Sequence, residues 1–384
     1  MATLPPNAPL HLPALTGFRA LAAAMVLVGH IENARRLEAP WFAHYGWTGV
    51  NLFFALSGFL FTLLYFDRLA EGTVSLRNYL LKRVFRVLPL TWFLVFVSFV
   101  TWPQYTAGDV LTHLTLTQAY FDEYRFSMNP PMWTLCVEES FYLIVPPLFI
   151  ALGALDRIRP KSSTAARLAI LALSLFLLTK AGMAIAIDLM TAKQRLTGQW
   201  DNYVWVMTIF GRFSDFAWGI GAGVVALRPA SSRWLQNRVV ANGLVALGLG
   251  VWWATAVWLE ARGGADKAWV FPWYQLVSRL FAASGALVIL GLYGRSIVTP
   301  VFASAPFVYA GRISFALYLV QDAWIEHVPV SEILAGYVRN KIGPESYAVI
   351  ALYAATSVAA ALLYHGVEDP AQRYLRRRFL RGAQ

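Results

Sequence analysis

The chain has 384 residues, of which 58% are hydrophobic and only 14% charged, and its mean hydropathy is +0.52. Soluble domains run nearer about 45–50% apolar and about 25% charged, so a soluble globular protein is excluded. A net charge of +11 would suit nucleic acid, but most basic residues lie between or beside apolar blocks of 17 to 25 residues. There they read as orientation signals and contacts to anionic lipid. The single cysteine, Cys136, rules out an intrachain disulfide and any cysteine-rich metal site.

A hydrocarbon core of about 30 Å takes roughly 20 helical residues to cross. Ten spans are predicted, at 15–31, 48–66, 87–103, 137–155, 167–187, 203–226, 238–258, 269–293, 311–327 and 346–364. The first lacks the basic leader and small-residue cleavage site of a signal peptide, so it reads as a retained helix. The stretch 107–121 is too short and polar to span and reads as a re-entrant or interfacial helix. An extra span at 297–310 would make eleven. The predicted architecture is an all-α, polytopic transmembrane bundle forming one integral domain, with no appended soluble domain expected.

With a cytoplasmic N-terminus, the inner loops hold Arg68, Arg77, Lys82, Arg83, Arg86, Arg157, Arg159, Lys161, Arg167, Arg228, Arg233, Arg238 and Arg295. The tail adds Arg373, Arg376, Arg377, Arg378 and Arg381, for 18 basic residues inside. Outside stand nine: Arg35, Arg36, Arg125, Lys193, Arg195, Arg262, Lys267, Arg339 and Lys341. That bias places both termini in the cytoplasm. An eleventh span would put the basic tail outside.

Several charges fall within the apolar blocks, where each must face a cavity or a partner. Arg19 and His30 share the first helix. Eleven residues turn 1100°, so the two groups return to one face, about 16 Å apart along the axis. Small neighbours (Ala20, Ala23, Ala24, Gly29) leave room there for another helix or a substrate. Histidine can be structural here, and it is also the side chain best suited to exchange a proton near neutral pH.

Next come Arg83 and Arg86, i and i+3 on one face, before Pro89, where the helix is predicted to break or bend. They read either as orientation charge or as a guanidinium pair that clamps phosphate. Glu138 and Glu139 then enter an apolar helix, with Glu138 and Tyr142 on a shared face. That carboxylate either caps and pairs or orients a histidine or an acceptor hydroxyl. Arg212 and Asp215 are spaced for a local salt bridge, and Lys180 and Arg279 for snorkelling.

In order along the chain these segments resemble the integral-membrane acyltransferase family 3. The resemblance rests on TGFRALAAAMVLVGH with Arg19 and His30, GVNLFFALSGFL at 49–60, and KRVFRVLP with Arg83, Arg86 and Pro89. It continues through WTLCVEESFYL with Trp133, Glu138, Glu139, Phe141 and Tyr142, and through GRFSDFAWG with Arg212, Asp215, Phe216 and Gly219. It ends with GRISFALYLVQ and the VEDP element at 367–370. One departure is Gln321, where the family commonly has histidine.

The resemblance implies an O-acyltransferase in the cell (inner) membrane that uses acetyl-CoA, or another acyl-CoA, as donor and no metal. Carried onto this chain, it makes His30 the general base and Glu138 its orienting or acceptor-holding partner. Arg19, Arg83 and Arg86 become the donor-binding set, and Trp133, Tyr142, Arg212 and Asp215 the acceptor contacts. The implied acceptor is a hydroxyl of an extracytoplasmic saccharide or glycolipid. A small natural product such as a macrolide is the alternative, and a secondary transporter without acyl chemistry is the alternative of another class. Ser57 and Ser314 have no base nearby in sequence, which counts against a covalent acyl-serine. No feature of the sequence speaks to oligomeric state.

Overall fold

The computed structural model describes residues 12–35, 41–102, 104–158, 164–198, 203–228, 233–264, 273–322, 336 and 345–380. All regular structure there is helical. This follows from the composition, because a backbone in hydrocarbon must satisfy its hydrogen bonds within the segment. The helices are α1 (Pro13–Arg35), α2 (Gly49–Ala70), α3 (Leu76–Thr101), α4 (Ala107–Leu114), α5 (Trp133–Ile158), α6 (Thr164–Thr197), α7 (Tyr203–Met207) and α8 (Ile209–Leu227). After them come α9 (Arg238–Glu260), α10 (Trp273–Tyr293), α11 (Thr299–Phe302), α12 (Ala305–Asp322), α13 (Glu345–Leu363) and α14 (Asp369–Phe379).

Eight stretches among the described residues are long and apolar enough to cross a membrane: Pro13–Ile31, Trp41–Ala70, Leu76–Thr101, Pro130–Ala154, Ala169–Thr197, Arg238–Glu260, Trp273–Tyr293 and Tyr347–Phe379. The protein is therefore a polytopic helical membrane protein. The expected spans at 203–226 and 311–327 are not among the eight. The first is divided at Thr208 into α7 and α8, and the second is described only through Asp322. Segment 297–310 forms the short α11 and the first turns of α12, not a separate span. The expected span ends at 269–272 and 323–327, and the charges of Arg36, Arg159, Lys161, Lys267, Arg339, Lys341 and Arg381, lie outside the described residues.

Of the break or bend expected at Pro89, the break is not seen, since α3 runs through it. The missing N–H costs one backbone bond, and the arginine turn and the apolar span belong to one helix.

The helices pack as two compact units, residues 51–75 with 133–299, and residues 5–50 with 76–132 and 300–384. In the first, α2 and α8 meet backbone to backbone. A Cβ at Gly219 would collide with the Ala55 carbonyl oxygen, one at Gly58 with that of Phe216, and one at Gly223 would sit 2.7 Å from Thr62 Cβ. Small residues four apart are what permits so close an approach between membrane helices.

In the second unit, α1 is gripped on two sides. A Cβ at Gly311 of α12 would strike the Thr16 carbonyl oxygen, and one at Gly46 would strike that of Met25. The segment after α3 is also tied down. Thr106 and Asp109 form a reciprocal capping box at the start of α4. Trp92 Nε1 of α3 donates to the Leu114 carbonyl at 3.0 Å, and Asn129 Nδ2 donates to the Leu319 carbonyl of α12 at 2.8 Å.

Candidate active site

In the second unit, α1 is an unbroken helix that carries Arg19 and His30 as the spacing requires. His30 Nδ1 is sealed from solvent and has no hydrogen-bond partner. In a neutral imidazole one of the two ring nitrogens is an acceptor able to take a proton. His113, a fully buried histidine in the same unit, is different. Its Nδ1 lies 2.8 Å from the Asp109 carbonyl oxygen, and burial pushes its imidazole below the usual range. Burial alone would raise the Asp109 carboxyl, but hydrogen bonds from Ser127 and Thr106 outweigh it and hold that group low. These two side chains stitch α4 together. Gln321 near the end of α12 is fully buried, and neither end of its amide has a partner.

The arginines of α3 diverge in environment. Arg83 is 9% exposed and lies over the Tyr79 ring at 5.8 Å. Arg86 faces the last helix, where Gln372 Nε2 donates to the Arg86 carbonyl at 3.3 Å and to Glu368 Oε1 at 3.1 Å. Glu368 is buried, with its second carboxylate oxygen unpartnered. The sequence marks this residue only as part of the VEDP element, with no spacing signal that would give it a role. Gln372 thus joins the arginine turn of α3 to a buried carboxylate within one unit, the unit that also holds Arg19.

In the first unit, Glu138 and Tyr142 lie one turn apart on α5. Tyr142 Oη donates to Glu138 Oε1 at 2.6 Å, and Ser57 Oγ of α2 donates to the same oxygen at 2.8 Å. Ser57 therefore does have a carboxylate beside it, 81 residues away in sequence. Two donors on one oxygen fix the carboxylate's rotation.

Arg212 and Asp215 form the salt bridge their spacing predicts, at 3.1 Å and almost fully buried. Asp215 also accepts from Ser278 Oγ at 2.8 Å and from Asn51 Nδ2 at 3.0 Å. Arg212 Nε donates to the Val206 carbonyl at 2.6 Å. Its guanidinium lies over the rings of Tyr274 at 5.0 Å, Trp133 at 5.2 Å and Phe54 at 5.8 Å. Cation–π contacts of this kind are worth about 0.5–2 kcal/mol each when desolvated. Lys180 is exposed and folds over Phe176, while Arg279 Nη2 contacts Met183 Sδ at 2.8 Å. Among the described residues no group of three or more side chains could hold a metal ion.

These features define a multi-pass integral membrane protein with an unpartnered imidazole and buried arginine–carboxylate groups in its helices. The chain belongs to the acyltransferase 3 family: the family profile, described as an acyltransferase domain, matches residues 12–365. It is 23% identical to O-acetyltransferase OatA of Staphylococcus aureus strain NCTC 8325 over 384 aligned residues, 95% of this chain and 58% of OatA. It is 29% identical over 163 residues to a Bacillus subtilis protein named "Putative peptidoglycan O-acetyltransferase YrhL", covering 37% of this chain and 24% of that one. The chain thus spans less than two thirds of the length of these relatives. No solved structure matches it.

Proposed function

We propose that the protein transfers an acyl group, in the first instance acetyl, from cytoplasmic acyl-CoA to a hydroxyl of an extracytoplasmic saccharide or glycolipid. The observation that carries this reading is α1 itself, an unbroken helix with Arg19 toward one end and, toward the other, His30, whose buried Nδ1 has no hydrogen-bond partner. Eleven residues separate them by about 16 Å. The phosphates of the donor cannot enter hydrocarbon, so they rest on Arg19, Arg83 and Arg86, where guanidinium forks suit phosphate oxygens. The extended, uncharged pantetheine arm covers a distance of that order and brings the thioester toward His30.

His30 then takes the proton of the acceptor hydroxyl as its oxygen attacks the thioester carbonyl. The tetrahedral adduct collapses, the carbon–sulfur bond breaks, and the departing thiolate of coenzyme A receives the proton. On the sequence resemblance alone we also propose acceptor roles for Glu138, held in one rotamer by Ser57 and Tyr142, and for Trp133. Arg212 and Asp215 are enclosed by their own partners, so we place them behind Trp133 as its support. The saccharide reading draws on the relatives' names, one of which specifies peptidoglycan.

The test is to give purified protein radiolabelled acetyl-CoA with glycolipid, free oligosaccharide and small-molecule extracts, using His30→Ala as the blank. His30-dependent label on a glycan supports the reading. Label only on a small cytoplasmic metabolite would replace the saccharide with a natural product. Replacing Arg83 and Arg86 together with Ala is expected to raise the donor KM by about tenfold or more, and Lys at both to rescue only in part, since it keeps charge but loses the fork.

We also place both termini in the cytoplasm, on the 18-to-9 distribution of basic residues. A reporter active only in the cytoplasm is expected to work when fused after Arg378, and a tag within 261–267 to be reachable only from outside. The reverse at both sites would move the arginine cluster away from the donor.

A further inference from the structure

A buried amide with unused hydrogen-bonding groups is costly inside a membrane, where no bulk water replaces the lost bonds. Gln321 of α12 is fully buried, and neither its amide oxygen nor its amide nitrogen has a partner. Asn129 comes to the same stretch of helix. Its Nδ2 donates to the Leu319 carbonyl at 2.8 Å, while its Oδ1 is buried and accepts from nothing. The residue before it, Met128, is buried at a φ of 53°, a left-handed conformation that strains any side chain with a Cβ and recurs at ligand sites. One amide nitrogen and two amide oxygens are therefore left open around residues 319–321 of α12.

Helix packing sets the depth of these groups. Gly311, in the second turn of α12, closes on Thr16, in the first turn of α1. These two helices pack more extensively than any other pair in their unit. An antiparallel pair touching there would overlap only over its first turns, so the two run in the same direction. At about 1.5 Å per residue, Arg19 stands about 4.5 Å beyond the Thr16–Gly311 contact, Gln321 about 15 Å and His30 about 21 Å. In depth, Gln321 lies between the arginine and the imidazole, about 6 Å short of His30.

We infer that Gln321, with Asn129 at the same turn, binds the pantetheine amide nearest the sulfur of acyl-CoA. This deepens the proposed acyl-CoA reading and rests on it. With the donor's phosphates at Arg19 and its thioester at His30, that amide lies three bonds from the sulfur, about 4–5 Å, which is the depth of Gln321. A second amide is the complement these side chains lack. Its N–H donates to Gln321 Oε1 or Asn129 Oδ1, and its carbonyl accepts from Gln321 Nε2. An acceptor hydroxyl comes to His30 from the side away from Arg19, which leaves both side chains on the donor's side of the base.

The test separates the arm of coenzyme A from its head. Gln321→Leu is expected to raise the acetyl-CoA KM and the calorimetric dissociation constant of coenzyme A by about tenfold, the usual cost of leaving a buried polar partner unpaired. Inhibition by adenosine bisphosphate, the head of coenzyme A without its pantetheine arm, should stay within about twofold, as should the acceptor KM. A wild-type comparison needs no folded variant. S-acetyl-N-acetylcysteamine keeps the sulfur-proximal amide, whereas in S-pentyl thioacetate methylenes take its place. Wild-type kcat/KM should favour the first by about tenfold, and Gln321→Leu should use the two alike.

Equal use of the two thioesters by wild type, or unchanged coenzyme A binding in folded Gln321→Leu, would overturn the inference while leaving acyl transfer intact. So would a rise in the acceptor KM alone, which would give the amide to the acceptor, or equal losses for coenzyme A and the bisphosphate, which would make its role structural. A wild-type protein that binds no coenzyme A would overturn the donor reading, and this inference with it.

Discussion

His30→Gln is expected to lower kcat for acetyl transfer by about 10²–10⁴-fold, the range for removal of a general base, while coenzyme A binding stays within about twofold of wild type. Glutamine fills the same volume and keeps a polar end, so the change isolates proton transfer from packing. The position is suited to the test because Nδ1 has no hydrogen bond to lose. Wild-type kcat/KM should rise with pH as the imidazole deprotonates, and that limb should vanish in the variant. A His30→Gln protein that keeps its rate, or loses rate and coenzyme A binding in equal measure, would remove His30 from the chemistry.

Asp215→Ala should destabilise the protein by about 3–5 kcal/mol, the usual loss when one member of a buried ion pair is deleted. The change strands the Arg212 guanidinium and leaves Ser278 and Asn51 without their acceptor. The measure is the thermal midpoint of purified protein in detergent or the yield of folded protein in membranes. Asp215→Asn retains an acceptor but no charge and should fall between. If Asp215→Ala is as stable as wild type yet loses acceptor affinity, the pair contacts the acceptor directly and does not support Trp133 from behind.

How far the sequence foretold these sites depends on the distance over which each signal acts. The shared face of Arg19 and His30 was legible because helical periodicity is local, and α1 forms as one helix over both. The Arg212–Asp215 bridge was legible for the same reason. The partners that complete it, Asn51 and Ser278, lie 164 and 63 residues away in sequence and leave no periodic trace. Ser57 was set aside for want of a nearby base, yet the glycine-mediated packing of α2 and the fold of its unit bring it to Glu138. Pro89 allowed a break or a bend, and the helix does not break there. A proline usually ends a helix in water, but within an apolar span losing all later hydrogen bonds costs more than losing one, so α3 continues. The spans at 203–226 and 311–327 are the weakest of the ten because they carry buried polar groups, such as Arg212, Asp215, Ser314 and Gln321, that dilute their apolar signal.

The π-helical turn at Tyr364–Glu368, between α13 and α14, sets the rotational phase of everything after it. An ordinary helix advances about 100° per residue, so the one additional residue accommodated there turns α14 by about that angle relative to an uninterrupted α13. Deleting a single residue among 364–367 would restore a regular helix without changing any side chain beyond it. Glu368 would then turn by about a quarter of a circle from its buried position, and the basic face of α14 would rotate with it. Two properties that look separate, a buried carboxylate and the direction in which a basic helix presents its arginines, are therefore governed by one insertion. A chain of this kind can gain or lose both together by a one-codon change in length.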